Sequence, residues 1–212
     1  MRIGIIGSGG VAKTLGGKLA SLGHDVMLGT REPQKLADWC KETGARAGTN
    51  AEAAAHGEVV INATAGTGSL QALEAAGKAN VEGKVLIDVA NPLDFSKGMP
   101  PSLTILNTDS LGEAVQRAYP GAFVVKALNT INQDVMIAPQ SVGNGDHHLF
   151  ICGNDAGAKA KVTAWMKEWF GWKNVLDIGD IAGARGTEMY LPLWLRLWSA
   201  SGTPHLNVKV VK

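Results

Sequence analysis

The chain has almost no cysteine: Cys40 and Cys152 are the only two in 212 residues. So few thiols, so far apart, exclude a disulfide framework and a clustered-thiol metal site, and they suit a reducing compartment. An excess of charge is lacking as well. Twenty Lys and Arg stand against nineteen Asp and Glu, a net charge of +1, so no broad field gathers nucleic acid or an anionic membrane. No apolar run approaches the roughly 18 residues of a membrane span. The first apolar stretch, Ile3 to Ile6, runs straight into glycines with no cleavage pattern behind it, and does not read as a secretory signal. There is no G-x-S-x-G elbow, no pair of catalytic carboxylates and no metal-ligand cluster. The expectation is a cytoplasmic protein with no metal, no nucleic-acid partner and no membrane.

Glycine is the exception to this scarcity. The 27 glycines are about twice the usual share of roughly 7%, and they sit between apolar runs, where strand-to-helix turns need them. Apolar strands are predicted at Arg2–Ile6, Asp25–Leu28, Ala45–Gly48, Glu58–Ala63, Lys84–Val89, Phe123–Lys126, His148–Cys152 and Asn174–Ile178. Helical spacing separates them: Gly9–Leu22 closed by Gly23, a helix after Pro33, one capped by Asn50, one capped by Ser69 and running to about Ala79, one opened by Asp109 or Ser110, and Asp155–Phe170. A last long helix is expected from about Ile181 to Trp198, with a strand-like tail over His205–Val211. Strands alternating with helices imply βαβ units: an α/β, Rossmann-type, mostly parallel and doubly wound sheet with a small helical C-terminal lobe. The pattern changes near residue 150, so we expect a nucleotide-binding domain at 1–150 and a C-terminal lobe at 151–212.

Gly7-Ser8-Gly9-Gly10-Val11-Ala12 fits G-x-G-x-x-G/A directly after a strand and at a helix start. Gly7 permits the tight turn, Gly9 lets a pyrophosphate approach the backbone, and small Ala12 lets the helix pack on the strand. The free N–H groups of the helix start then receive the phosphates. An NAD enzyme ends its second strand in Asp or Glu to hold the ribose 2′-hydroxyl. Here that strand ends Leu28-Gly29-Thr30-Arg31. A hydroxyl and a guanidinium, with Lys35 one turn on, suit a 2′-phosphate instead and favour NADP(H). Two alternatives stay open: Arg31 and Lys35 as a solvated helix start, and Glu32 as the NAD-type acid in a shifted register.

Several pieces then occur in order: RIGIIGSGGVAKTLGGKLASLGHDV, GTREPQKL, EVVINAT, KVLIDVANPL, VVKALNTIN, HHLFICGND and VLDIGDIAGARGTEM. Together they resemble the NADPH:coenzyme F-420 oxidoreductase family, of which the reductase domain of the STEAP metalloreductases is a related branch. The resemblance implies that Ser8, Gly9, Gly10 and Val11 hold the pyrophosphate, and that Thr30, Arg31 and Lys35 bind the 2′-phosphate. It also implies that Ala63, Thr64, Ala90, Asn91, Pro92, Ala127 and Asn129 line the adenosine and nicotinamide trench at the strand ends. The second substrate is then a small redox acceptor, a deazaflavin such as coenzyme F-420 or a flavin-like ring, with a ferric chelate as the nearest substitute. After Thr64 the chain reads Ala65-Gly66-Thr67-Gly68, where deazaflavin-using members carry a bulkier turn, so this loop leaves the acceptor open.

Hydride transfer needs stacked rings and excluded water more than it needs an acid or base. Asn129 and Asn132 are the candidate catalytic residues, polar groups after a strand end; Asn129 as a mere helix cap is the competing reading. His147-His148 reads as a loop with one inward histidine. Arg185 and Glu188 are placed for a local ion pair, or else Arg185 reaches an anionic acceptor. The i,i+4 pairs Trp165/Trp169 and Trp194/Trp198 read as core or as a homodimer contact, with stacking on a substrate ring as the alternative. A non-catalytic NADPH-binding module is the main rival. A β-hydroxyacid dehydrogenase and a pyrroline-carboxylate reductase are disfavoured, because too little chain follows residue 150 for their helical domains.

Overall fold

In a computed structural model that describes residues 1–212, the predicted strands assemble into one eight-stranded sheet. The elements are β1 (Arg2–Ile6), α1 (Gly10–Ser21), β2 (Asp25–Gly29), α2 (Ala37–Thr43), β3 (Arg46–Gly48), α3 (Asn50–His56), β4 (Val59–Asn62), α4 (Ser69–Ala76), α5 (Lys78–Val81) and β5 (Val85–Asp88). A short hairpin follows, β6 (Leu93–Asp94) with β7 (Ser102–Leu103), then α6 (Leu111–Ala118), β8 (Phe123–Ala127), α7 (Gln133–Ile137), β9 (His148–Gly153), α8 (Ala156–Phe170), β10 (Asn174–Asp177), α9 (Ala184–Met189) and α10 (Leu191–Ser201).

Six strands run parallel in the order β3-β2-β1-β4-β5-β8. β9 joins β8 antiparallel, and β10 pairs parallel with β9. The strand order reverses between β2 and β4 on either side of β1. The carboxyl ends of β1 and β4 therefore open the crevice where such sheets take ligands.

Both faces of the sheet are covered, which explains the continuous apolar strands. Along β4, Val59 and Ile61 join the core under α1, α7 and α8, while Val60 faces the core under α3, α4 and α6. Trp169 and Trp172 belong to the first of these cores, and Trp165 stacks on Trp169 at 5.1 Å with the rings nearly parallel. The structural reading of that tryptophan stripe holds.

Several local expectations change. Thr49, not Asn50, caps α3, in a reciprocal capping box with Glu52. The sequence T-N-A-E satisfies the S/T-x-x-E pattern one residue earlier than expected. Ser69 is the first helical residue of α4 and not its cap, and the helix stops at Gly77, whose φ of 85° ends it before Ala79. Ser110 is the cap of α6, accepting from the Glu113 amide. The long final helix is divided into a single turn at Ile181–Gly183, α9, and α10, because Pro192 has no N–H to continue α9 and begins a new helix instead. The tail forms no strand, although the Val208 carbonyl accepts from the His148 amide at 3.0 Å. The division expected at 150 falls inside β9, and α8 packs on the main core.

Candidate functional site

The glycine loop lies at the switch point. Gly7 adopts φ 120°, and a Cβ there would come within 2.6 Å of the Ala63 carbonyl, so the tight turn admits only glycine. At Gly9 a Cβ would meet nothing and would project into open space. Gly9 is also the N-cap of α1, with no side chain capping the first-turn amides and no acidic residue among them. Uncapped amides at the start of a 12-residue helix, with open space before Gly9, fit a pyrophosphate. Gly10 serves a different purpose: the Gln133 carboxamide of α7 lies 2.6 Å from where its Cβ would be, so this glycine lets α7 dock on α1.

Two cavities meet at the carboxyl end of the sheet. The first, of about 500 Å³, is lined by Gly7, Ser8, Gly9, Thr30, Arg31, Glu32, Asn50 and residues of α4. The second, of about 370 Å³, is lined by Val11, Thr67, Ala90, Asn91, Leu93 and Phe95. Ala63, Thr64 and Ala65 line both, which makes one trench of the two. The Ser8 hydroxyl bonds Thr30 Oγ1 at 3.1 Å and joins the glycine loop to the tip of β2. Arg31 is exposed and free of any carboxylate partner, whereas Lys35 is taken by Glu32 at 2.8 Å. Lys35 therefore stands outside the trench lining. Pro92 is buried behind Asn91, and Ala127 is fully buried in the core with no trench surface.

Asn129 and Asn132 have different duties. The Asn132 side chain accepts from the Asp134 amide at 2.9 Å and is the cap of α7, the role that the competing reading gave to Asn129. Asn129 is buried and doubly tied to Asn91. Its amide donates to Asn91 Oδ1 at 3.0 Å, and the Asn91 amide donates to the Asn129 carbonyl at 2.7 Å. Leu128, between β8 and Asn129, sits at φ 64°, a left-handed kink uncommon for a bulky buried residue. The kink turns Asn129 back toward β5.

Beneath the trench lies a cluster that the sequence reading missed. Asn62, Asp88 and Lys126 are register neighbours on β4, β5 and β8, and Cys152 of β9 is next in the row. Lys126 is entirely buried, with Nζ 2.9 Å from Asp88 and 2.7 Å from Glu188 of α9, and it donates to the Ala90 carbonyl. Burial alone would push the ammonium toward neutrality, but the two carboxylates outweigh it and hold the Lys126 pKa above the ordinary value. Asp88 also accepts from Asn62 at 2.8 Å, and Asn62 accepts from the Thr64 hydroxyl at 2.8 Å. Glu188 in turn receives the amides of Leu111 and Gly112 at the start of α6. Burial pushes the Cys152 thiol up to about 12, leaving it protonated and unreactive.

The Arg185–Glu188 pair does not form. Arg185 is bidentate on Glu113, whose carboxyl that guanidinium holds below its usual range. The expectation failed because three-residue spacing on a helix competes with tertiary partners, and both residues found better ones. A partial signal did exist: the apolar strands β4 and β5 each end on a polar residue, Asn62 and Asp88, and Lys126 interrupts apolar β8 one residue before its end. His147 is the inward histidine, bonded to the Pro139 carbonyl at 2.9 Å and edge-on to Trp172.

The comparisons agree with this geometry. The profile of the family described as NADP oxidoreductase, coenzyme F420-dependent, matches residues 2–92. A solved structure from Arthrobacter sp. FB24, provisionally named an F420-dependent NADP-reductase, is 49% identical; all of each chain is covered, with a TM-score of 0.97. The rat metalloreductase STEAP3 is 29% identical over 197 residues, covering 91% of this chain but only 38% of that protein. A hypothetical protein from Sinorhizobium meliloti shares the fold at 23% identity, covering 100% of this chain and 96% of that one, with a TM-score of 0.75. With close to half of its residues shared along the full length of the Arthrobacter protein, this chain belongs to the coenzyme F420-dependent NADP oxidoreductase family and is an NADP-dependent oxidoreductase.

Proposed function

We propose that the enzyme passes hydride between NADP(H) in the trench and a planar deazaflavin or flavin-like ring in the second cavity. The observation that carries this reading is the pairing of two unlike cavities across the shared wall Ala63–Ala65. One is polar and ends at a free guanidinium, as a 2′-phosphate requires. The other is lined by Val11, Leu93 and Phe95 and suits a flat ring. NADPH, when bound, supplies the hydride, and the acceptor takes its accompanying proton from solvent. The chain's own part is positional. Ser8 and the amides of Gly9, Gly10 and Val11 hold the pyrophosphate, with Gly7 shaping the turn; Thr30 and Arg31 hold the 2′-phosphate, and the Ser8 hydroxyl bonds Thr30 between the two. Lys35 contributes only if it leaves Glu32.

On this reading Thr64 and Asn91 border the nicotinamide. Asn129 fixes Asn91, and Asn132 fixes α7. Neither asparagine exchanges a proton. The relative STEAP3 is named a metalloreductase, and the small residues Ala65-Gly66-Thr67-Gly68 leave room for acceptors other than coenzyme F-420, so a flavin is the second candidate. A ferric chelate takes one electron at a time and would be reduced by that flavin in two steps, not by the hydride itself. The exposed apolar face of α10, with Leu193, Leu197 and Trp198, supports a homodimer whose mass light scattering would read. No helix is long and apolar enough to cross a membrane, and two unpaired thiols suit a cytoplasmic enzyme.

The test mixes protein, NADPH and oxidised coenzyme F-420 and follows the deazaflavin's visible absorbance. Rapid bleaching, slower with NADH, is the expected result. Clear NADPH binding without bleaching would move the acceptor to flavins or ferric chelates. No turnover with any of them would leave a binding module.

A further inference from the structure

A fully buried lysine is costly, and replacing such an ion cluster by apolar side chains is often neutral or stabilising. The Lys126 cluster therefore calls for a role beyond holding the fold together. Its bonds run to specific places. Lys126 donates to the carbonyl of Ala90, which lines the second cavity and precedes Asn91. Through Asp88 and Asn62 it reaches the hydroxyl of Thr64, on the wall shared by both cavities. Through Glu188 it reaches α9, and with it the C-terminal segment. One cation thus ties the ends of β4 and β5 to the C-terminal helices. The Arg31 end of the trench has no such connection: Ser8 and Thr30 bond each other, and Arg31 bonds neither.

We propose that Lys126 is a positioning residue for the Asn91 end of the trench, and that Glu188 links that end to the placement of the C-terminal helices. Neither side chain touches the cofactor; both act through Ala90 and the Asn62–Thr64 pair. The inference rests on the cofactor reading above. It predicts an asymmetric effect: loss of the cluster disturbs the nicotinamide half of NADPH and spares the adenosine half.

The experiment titrates wild type, Lys126→Met and Glu188→Gln with NADPH and with 2′,5′-ADP by calorimetry, and records the fluorescence of bound NADPH. Glu188→Gln keeps the side chain's shape and one carbonyl oxygen for the α6 amides, so it carries the test if Lys126→Met does not fold. The expected result is unchanged 2′,5′-ADP affinity, NADPH affinity lower by roughly fivefold to tenfold, and altered nicotinamide emission. Leu73→Ala is the control. Leu73 is fully buried in the same layer, so its truncation lowers stability and should leave the ratio of the two affinities unchanged. If Glu188→Gln keeps the wild-type ratio and emission, or if Leu73→Ala shifts the ratio equally, the cluster is only structural and the proposal is overturned. Wild type that binds neither ligand overturns the cofactor reading itself, and the proposal with it.

Discussion

At its Arg31 end the trench is made of neighbours. Ser8, Thr30 and Arg31 follow two adjacent parallel strands; Arg31 is exposed and unpaired, while Ser8 and Thr30 are half-buried and joined by one hydroxyl–hydroxyl bond, with the Thr30 amide donating to the Gly48 carbonyl at 3.0 Å. At its Asn91 end the surface is set from below. Ala90 and Asn91 are each tied to a group brought in from β8 or the turn after it, Thr64 bonds Asn62 of its own strand, which Asp88 of β5 holds, and the central cation has no exposure at all. The first design tolerates substitution in the fold and concentrates its consequences in binding. The second makes binding geometry and fold stability depend on the same bonds. Mutations at the two ends should therefore fail in different assays.

The largest effect belongs to the buried end. Lys126→Met leaves Asp88 and Glu188 as buried carboxylates without their cation, a change that costs about 3–5 kcal/mol when one partner of a buried pair is removed. Urea unfolding of the ligand-free protein would read it. A loss under 1 kcal/mol would mean that water reaches the cluster and that the two ends are less different than they look.

The next effect is a pH dependence of the same layer. Cys152 continues the Lys126 row, and its thiol lies near 12 in the fold against an ordinary 9.0. A folded pKa above the unfolded one contributes stability at low pH and loses it as pH rises, here from about 9 toward 12. The full loss is at most about 4 kcal/mol at roughly 1.4 kcal/mol per unit. Cys152→Ala should flatten that alkaline limb whatever it does to stability at pH 7. Lys126, with its pKa raised by the two carboxylates, contributes stability that is lost only as pH rises past the ordinary lysine range. An unchanged limb in Cys152→Ala would assign the early alkaline loss to other groups.

The contrast also explains what was legible. The Arg31 end was readable because its chemistry is local: a glycine pattern after a strand, and a missing acid at the next strand's tip. The parallel sheet was readable for the same reason, since each apolar run declares itself. The cluster was not, because its strand members are 26 and 38 positions apart and meet only through register, and Glu188, 62 positions beyond Lys126, arrives from a helix. Asp88 looks like an ordinary strand end until β4 and β8 are placed beside it. Glu188 looked like a partner for Arg185 because nothing local shows that α9 lies over the first turn of α6. The cap expected at Asn129 falls instead on Asn132 for a similar reason: a cap is local, but the kink at Leu128 that sends Asn129 to Asn91 is not.

At the exposed end the leading prediction is Arg31→Ala. It should weaken NADPH by about 1.5–3 kcal/mol, the value of a charged hydrogen bond, with NADH and urea stability unchanged. Equal losses for both coenzymes would remove Arg31 from the 2′-phosphate site. This result sharpens the comparison because it asks for a binding defect with no folding defect, the reverse of Lys126→Met.

The smallest effect decides between two readings of one carboxylate. Glu32 lines the first cavity and holds Lys35 at 2.8 Å, with both side chains largely in water. Such a pair contributes about 0–1 kcal/mol, so breaking it hardly affects the fold. If Glu32 is only the partner of Lys35, Glu32→Gln frees an ammonium one turn from Arg31 and removes a negative charge beside the 2′-phosphate. NADPH should then bind roughly twofold to fivefold tighter, by less than about 1 kcal/mol, and the gain should shrink with added salt as exposed charges are screened. If Glu32 is instead the acid that holds a ribose 2′-hydroxyl, the same change should weaken NADH and leave the salt dependence of NADPH unchanged. Titrating both coenzymes at two ionic strengths separates the readings, because the first predicts a gain for the phosphorylated coenzyme and the second a loss for the other.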